Sequence, residues 1–171
     1  SKETALVEGV SRELKVQTED LPERIAQLSE KLKAAEKEIE TLRKQQLAAR
    51  ASEFVSAAKD INGFKVIALT LPEGTTGGDL RTVATDLRNR LREEEAVIVL
   101  GAEDKGKFPF IAAATDKAVG RGVKSGDIVK EFGQYVDGRG GGKPDMAQGS
   151  GSTAAGAERG FEAVKDMLES L

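Results

Sequence analysis

The sequence predicts an α+β protein, α/β-like in its second part. A protruding N-terminal helical hairpin or coiled coil should precede a globular domain with a small mixed β-sheet covered by helices. Two observations predict this. Residues 1–52 hold one of the 19 glycines, Gly9, and none of the six Phe or the single Tyr. In residues 53–171, β-rich apolar runs alternate with amphipathic helical patterns. We therefore predict a helical or coiled-coil segment over 1–52 and a globular α/β domain over 53–171.

Two helices are predicted in the N-terminal segment. Val7, Val10 and Leu14 recur at helical spacing and predict a first helix over residues 2–16. A second helix should start near residue 21, with Thr18 or Asp20 as its cap and proline in its first turn.

The second helix carries a heptad repeat. Its apolar positions are separated alternately by four and three residues, and they are Leu21, Ile25, Leu28, Leu32, Ala35, Ile39 and Leu42. Such a stripe is narrower than the face of a helix that lies on a globular core. It predicts a protruding helix of roughly 30 residues, about 45 Å long. Two alternatives remain open at this point: an antiparallel hairpin with the first helix alone, or a coiled coil with a second subunit.

The globular part is predicted to begin with a strand, a helix and two more strands. Residues 65–71 are β-rich and follow the turn signal Asn62-Gly63. Asp79 is expected to cap a helix that ends near residue 92. The apolar run 96–100 is typical of a central strand, parallel to the first through a right-handed crossover. The turn Asp104-Lys105-Gly106 should return the chain as a strand over 108–115.

The remainder is predicted to be helical around a glycine-rich loop. Ser125 is expected to cap a helix over 125–136, with Ile128, Val129 and Phe132 turned inward. Residues 137–152 are predicted to form the loop, and a final helix should run over about 155–171.

Composition excludes several classes of function. The chain has no Cys and no His, which excludes a zinc finger, a thiolate or imidazole metal site and a Ser-His-Asp triad. No run of about 18 apolar residues is present, and no signal peptide opens the chain, so we expect a cytoplasmic protein without a membrane partner. The missing initial Met leads us to expect a processed protein or an excised fragment. The net charge of −3 gives no global attraction to nucleic acid.

One local segment nevertheless suits an anion. Residues 117–143 contain six cationic and three acidic side chains. The glycine-rich stretch at the end of this segment can expose backbone N–H groups beside Arg139 and Lys143. It is not a phosphate-binding P-loop, because Asp137 and Pro144 occupy positions that require Gly and Ser or Thr. The dinucleotide-binding fingerprint is excluded as well, because its third glycine is missing. A flexible surface loop with incidental cations remains the alternative.

The same segment resembles the C-terminal domain of alanyl-tRNA synthetase. Residues 138–148 read GRGGGKPDMAQ, and Asp137 stands where that family usually has a further glycine. Further likenesses agree in order and spacing, and they are residues 21–25 (LPERI), 58–63, 79–81 with 87–88, 99–101, 112–113 and 126–130. The resemblance covers almost the whole chain.

The resemblance implies a non-catalytic fragment of an alanine–tRNA ligase. It implies binding to the outer corner, or elbow, of tRNA(Ala), a homodimer through the heptad helix, and cooperation with aminoacylation and editing domains upstream. ATP, Mg²⁺ and Zn²⁺ would then be needed only in those domains, with no cofactor, metal ligand or catalytic residue here. A purely structural module for dimerisation and packing, without direct contact to tRNA, is the alternative.

At residue level the expected interface centres on the glycine-rich segment. Arg139 and Lys143 should contact phosphates, the glycines should allow close backbone approach, and Pro144 or Met146 could offer a stacking platform. Anchoring of Met146 on the core is the alternative for that residue, and solvated cations are the alternative for the lysines and arginine before the segment. The predicted nucleic-acid-binding residues are Gly138, Arg139, Gly140, Gly141, Gly142, Lys143, Pro144, Met146, Gln148, Lys117, Arg121 and Lys124.

Overall fold

A computed structural model describes all residues, 1–171, and divides them into two compact units, Ser1–Gln45 and Gln46–Leu171. The mixed α and β content confirms the predicted fold class. None of the helices combines the length and the apolar character that crossing a membrane requires.

The first unit is helical. Helix α1 spans Lys2–Leu14 and ends at Lys15 in the left-handed conformation, with φ 57°. A 3-10 turn over Thr18–Asp20 leads directly into the long helix α2, Leu21–Ala49. The prediction that a Thr18 or Asp20 side chain caps α2 is wrong. Backbone hydrogen bonds of the 3-10 turn lead into the helix, and Thr18 Oγ1 lies 3.2 Å from Ser11 Oγ instead.

The heptad seam of α2 is exposed within the chain. Ile25, Leu32, Ile39 and Leu42 are 51%, 61%, 54% and 55% exposed, and Leu21 alone of the seam is buried. The alternative in which α1 covers this seam as an antiparallel hairpin is therefore not what the structure shows.

The second unit is built on a six-stranded mixed sheet in the order β1-β2-β3-β4-β6-β5. Strands β2 and β3 are parallel, as predicted, and every other neighbouring pair is antiparallel. The strands are β1 (Lys59–Ile61), β2 (Phe64–Thr70), β3 (Ala96–Gly101), β4 (Phe108–Ala114), β5 (Arg139–Gly142) and β6 (Met146–Gly151).

Helices cover both faces of this sheet, because residues of the central strands alternate between two cores. One core joins the sheet to α6 (Ser125–Gly133) and α7 (Ala157–Glu169), with Phe132 in contact with three other Phe rings. The other core joins it to α4 (Gly77–Arg90), α3 (Ala51–Ser56) and Leu47. Strands β3 and β4 are buried on both sides, as their nearly uninterrupted apolar sequences require.

Several short elements escaped the sequence predictions. Strand β1, helix α3 and the five-residue helix α5 (Asp116–Gly120) are too short to show a clear period. The turn between β1 and β2 is confirmed, with Asn62 at φ 53° and Gly63 at φ 84°. The turn at Lys105-Gly106 is confirmed as well, with φ 49° and 78°.

Two predicted caps are wrong. The Thr76 hydroxyl caps α4 by accepting from Asp79 N–H, while the Asp79 carboxylate accepts from Thr76 N–H, both at 3.1 Å. Asp79 is thus the third residue of the helix (N3), where it completes a capping box, and Thr76 is the N-cap residue. Lys124 precedes α6 without a side-chain cap, and Ser125 lies in the first turn with its hydroxyl buried and unpartnered. The helix itself ends at Gly133, three residues before the predicted end.

Candidate nucleic-acid interface

The glycine-rich segment is an edge hairpin of the sheet, and its prediction as a loop is wrong. Arg139 pairs with Ser150 and Gly142 with Ala147, while β6 pairs on its other side with β4. Lys143 N–H donates to Met146 O at 2.9 Å and closes the turn. Glycine is a poor strand former, so this segment owes its strand geometry to pairing within the sheet, of β5 with β6 and of β6 with β4.

Most of its glycines are required by the fold itself. A Cβ on Gly140 would lie 2.5 Å from Gln148 O, and one on Gly149 would lie 2.5 Å from the Phe110 ring. A Cβ on Gly138 would lie 2.7 Å from Gly151 Cα. Gly141 differs, because a Cβ there would meet no atom within 4 Å. Of the predicted glycines, Gly141 is thus the one that the packing leaves open to a ligand.

The N-terminus of α6 packs on the same hairpin. Ser125 N–H donates to Pro144 O at 2.8 Å, and a Cβ on Gly126 would lie 3.1 Å from Gly142 O. Lys124, which precedes these residues, is exposed. The structure therefore brings Lys124 close to the turn that carries Lys143.

Arg139, Lys143 and Lys124 are exposed and make no ion pair or side-chain hydrogen bond in the chain. Their charges are available to an external anion. Pro144 is exposed beside Lys143, whereas Met146 is half-buried and packs against the core under α4. That position of Met146 matches anchoring on the core, the alternative that the sequence left open.

The other two predicted cations are engaged within the protein. The Arg121 guanidinium stacks 3.9 Å from the centroid of the Phe64 ring, and its Nη1 lies 2.8 Å from Glu95 Oε2. Lys117 Nζ donates to Glu93 O at 3.0 Å. A nucleic acid would have to compete with these contacts, so Lys117 and Arg121 are weaker candidates than Lys124.

Two arginines that the sequence reasoning did not select complete the site. Arg81 and Arg88 lie on α4 and, together with the hairpin, line a groove of about 360 Å³. Arg81 Nη1 donates to Gln148 Oε1 at 2.6 Å, and Gln148 Nε2 donates in turn to Gly77 O at 3.3 Å. Arg88 Nη1 donates to Asp145 O at 3.1 Å. The seven-residue spacing of the arginines, two helical turns, was the available signal that they share a face.

The groove suits an anionic group that is attached to a polar or planar group. Arg81, Arg88 and Lys143 supply three cations, and Arg88 is paired with the one acid, Asp145, whose carboxylate lies 3.5 Å from Arg88 Nη1. Arg81 and Lys143 are therefore the cations of the groove that no carboxylate neutralises. The exposed backbone of Gly141 and Gly142 forms one wall, and Gln148 holds the Arg81 guanidinium in place. Guanidinium groups that are already oriented lose little freedom when they bind phosphate oxygens. No group of acidic side chains in the structure could hold a metal ion.

A family model described as the DHHA1 domain matches residues 63–170. The chain belongs to the DHHA1 domain family. Alanine–tRNA ligase of Corynebacterium efficiens is 53% identical over 173 aligned residues, which cover 100% of this chain and 19% of that protein. Alanine–tRNA ligase of Mycobacterium avium is 40% identical, again over 100% of this chain and 19% of that protein. The chain thus spans about a fifth of the length of these curated relatives.

A solved structure shows the same fold. The C-Ala domain of Aquifex aeolicus alanyl-tRNA synthetase matches with a TM-score of 0.60 and 22% identity, over 66% of this chain and 97% of that domain. Together with the sequence relatives, this match confirms the resemblance to the C-terminal domain of alanyl-tRNA synthetase. The DHHA1 chain corresponds to the C-Ala region of these ligases.

Proposed function

We propose that this DHHA1 chain binds the elbow of tRNA(Ala) as part of a cytoplasmic alanine–tRNA ligase. A homodimer through α2 would help the aminoacylation and editing domains of the ligase to act on one tRNA. ATP, Mg²⁺ and Zn²⁺ would serve those other domains. The observation that carries the proposal is the cationic groove between α4 and the glycine-rich hairpin, in a chain whose relatives are alanine–tRNA ligases.

The binding mode follows from the groove. Lys143 lines the groove together with Arg81, which Gln148 orients. Arg139 and Lys124 are not part of its lining, but they are exposed and available for further phosphate oxygens. The tRNA elbow is formed by folded loops whose bases and 2′-hydroxyls are exposed, and RNA of that kind is recognised by shape, stacking and backbone contact. The open Gly141 lets a sugar or base edge come close to the hairpin backbone.

Charge removal tests this interface. The double variant Arg139→Ala/Lys143→Ala should weaken tRNA(Ala) binding and reduce the slope of log Kd against log salt by about one to two units, since each lost phosphate contact removes roughly one. The matched control is Lys59→Ala/Lys65→Ala, which removes two cations from β1 and β2 at the other edge of the sheet. Equal binding by the folded test variant and the control would support the purely structural alternative.

A competition experiment tests the elbow. Full-length tRNA(Ala) should displace labelled tRNA from the chain, whereas an acceptor-stem minihelix without the two elbow loops should not. Equal competition by the minihelix would place the contact on the acceptor arm and contradict the proposal.

A further inference from the structure

A second cavity, of about 280 Å³, adjoins the groove along α4. Its lining comes from the end of α4, the junction of β4 with α5, and the turn of the hairpin, and it consists of Arg88, Asn89, Arg92, Thr115, Asp116 and Asp145. Two of these residues, Arg88 and Asp145, line the groove as well. The volume is just below the roughly 300–1,000 Å³ of pockets for drug-sized ligands, so the cavity suits one small group such as a nucleobase.

Two polar side chains of this cavity, Asn89 and Asp116, have no partner in the chain. Both residues are exposed, and neither side chain makes a hydrogen bond or an ion pair. Lys117, the cation next to Asp116, is engaged by Glu93 instead, with Nζ 3.7 Å from Glu93 Oε2. Arg92 Nε lies 3.9 Å from Glu93 Oε1, but these two side chains are 80% and 82% exposed, and such pairs contribute little. A carboxylate, a carboxamide and a guanidinium are therefore open to a ligand of one cavity.

The positions of the cavity walls are set by the fold. Thr115, which precedes Asp116, is anchored to β3, because its N–H donates to Ala96 O and its Oγ1 accepts from Ala96 N–H, both at 3.0 Å. Arg88 is fixed as well, since its Nη1 donates to Asp145 O at 3.1 Å. A ligand would therefore meet groups that are largely positioned before it binds, which lowers the cost of binding.

Guanine is the nucleobase that these groups fit. Its Watson–Crick edge presents two adjacent donors, N1–H and the 2-amino group, to which the two oxygens of one carboxylate can accept together. Its O6 and N7 atoms are acceptors that arginine binds with two parallel N–H donors. Adenine, cytosine and uracil have no such pair of neighbouring donor atoms. Unstacked bases of RNA loops are read through these edges, so a cavity with Asp116 and Arg92 in its lining selects guanine.

We propose that this cavity is a guanine-binding subsite, in which the Asp116 carboxylate accepts from N1–H and the 2-amino group while the Arg92 guanidinium donates to O6 and N7. A neighbouring phosphate of the same RNA strand lies in the adjoining groove at Arg81 and Lys143. The Asn89 carboxamide adds a hydrogen bond to the sugar or the base. The subsite deepens the proposed binding of RNA and rests on it.

A change of one base in a short RNA tests the subsite. The probes are the labelled pentaribonucleotides UUGUU, UUIUU, UUAUU and UUUUU, where I is inosine, whose base is guanine without the 2-amino group. The guanosine probe should bind the full chain about tenfold more tightly than the inosine probe, because inosine leaves one oxygen of Asp116 without its donor. Fluorescence anisotropy at one fixed salt concentration measures the four dissociation constants.

Two variants assign the preference to the carboxylate. Asp116→Asn should bind the guanosine and inosine probes equally, because a carboxamide presents an amino group where the base also has a donor. Asp166→Asn is the matched control, because it removes the same charge from α7, on the opposite face of the sheet from α4. It should keep the preference for guanosine. Urea unfolding of both variants establishes that they are folded.

The arginine is tested separately. Arg92→Ala should weaken binding of the guanosine probe about tenfold and that of the uridine probe much less, because only guanine offers O6 and N7 to the guanidinium. Arg92→Lys should recover only part of the lost affinity, since lysine lacks the two parallel donors. Equal losses for the two probes would show a contact with phosphate and overturn the role of Arg92 in reading the base.

The outcomes separate this subsite from the proposed binding of the elbow. A wild-type chain that binds the guanosine probe no more tightly than the inosine and adenosine probes, or that binds no probe, overturns the subsite. A preference that survives in Asp116→Asn, or that is lost equally in Asp166→Asn, overturns it as well. The competition between tRNA(Ala) and the minihelix decides the elbow independently of these results. A guanine preference that depends on Asp116, found together with equal competition by the minihelix, would support the subsite and contradict the elbow.

Discussion

Gly140 and Gly141 are neighbours in the hairpin, but different constraints act on them. A Cβ at position 140 would lie 2.5 Å from Gln148 O of the paired strand, which is backbone and cannot move aside without disturbing the sheet. A Cβ at position 141 would point into open space. The first glycine is therefore required for folding, and the second is available for a ligand.

This contrast gives a matched pair of variants. Gly140→Ala should lower the free energy of unfolding by about 1–3 kcal/mol through overpacking. Gly141→Ala should leave it within about 0.5 kcal/mol, as surface substitutions do, but should weaken tRNA binding. Urea denaturation and a tRNA-binding titration measure the two effects. Equal stability of both variants would contradict the packing argument, and unchanged tRNA binding of Gly141→Ala would contradict the close approach of RNA at this residue.

The contacts of single residues also explain why the predicted cations differ in their availability to a nucleic acid. Arg121 is held between the Phe64 ring and Glu95, whereas Arg139 and Lys143 have no partner in the chain. The sequence contains all of these cations within one basic stretch. Only their three-dimensional neighbours divide them into a structural residue and available ones.

At the scale of elements, α4 connects the fold to the site. Its inner face, with Leu80, Val83 and Leu87, is buried against the sheet, and its other side carries Arg81 and Arg88 beside the hairpin. The capping box at Thr76 and Asp79 fixes where the helix begins, next to the Gly77 carbonyl that receives Gln148 Nε2.

The cap can be tested alone. Thr76→Ala removes the hydroxyl that accepts from Asp79 N–H and should cost about 1 kcal/mol of unfolding free energy, while Thr76→Ser keeps the acceptor and should cost much less. Thermal or urea unfolding measures the difference. Equal losses in the two variants would mean that the methyl group of Thr76 matters more than its hydrogen bond.

At the scale of the whole molecule, the chain consists of a helical unit and a sheet unit that holds both hydrophobic cores. A chain reduced to residues 46–171 retains Leu47, all six strands and the groove. We expect it to unfold cooperatively, with a stability close to that of the sheet unit in the intact chain.

The same truncation should abolish dimerisation, because the seam is removed. Calorimetry and analytical ultracentrifugation measure the two effects. A dimeric 46–171 chain would show that the sheet unit associates by itself, and an unfolded one would show that residues 1–45 are needed for its core.

Strong periodic patterns made the long elements predictable. The heptads of α2 and the amphipathic patterns of α4 and α7 are repeats that the local sequence displays, and β2 and β3 are marked by short apolar runs. The glycine-rich strands show no such repeat. Their geometry comes from pairing with β4 and from Phe110 and α6, which require small residues at those positions.

The sequence by itself determined the fold class, the heptad seam and the position of the cationic, glycine-rich segment, because each depends on residues close together in the chain. Only the tertiary structure decided that this segment is an edge hairpin, that α4 adds Arg81 and Arg88 to it, and that Arg121 belongs to a structural contact. The physical reason is sequence separation. Arg81 and Gln148 are 67 residues apart, and the order of the strands brings them to 2.6 Å.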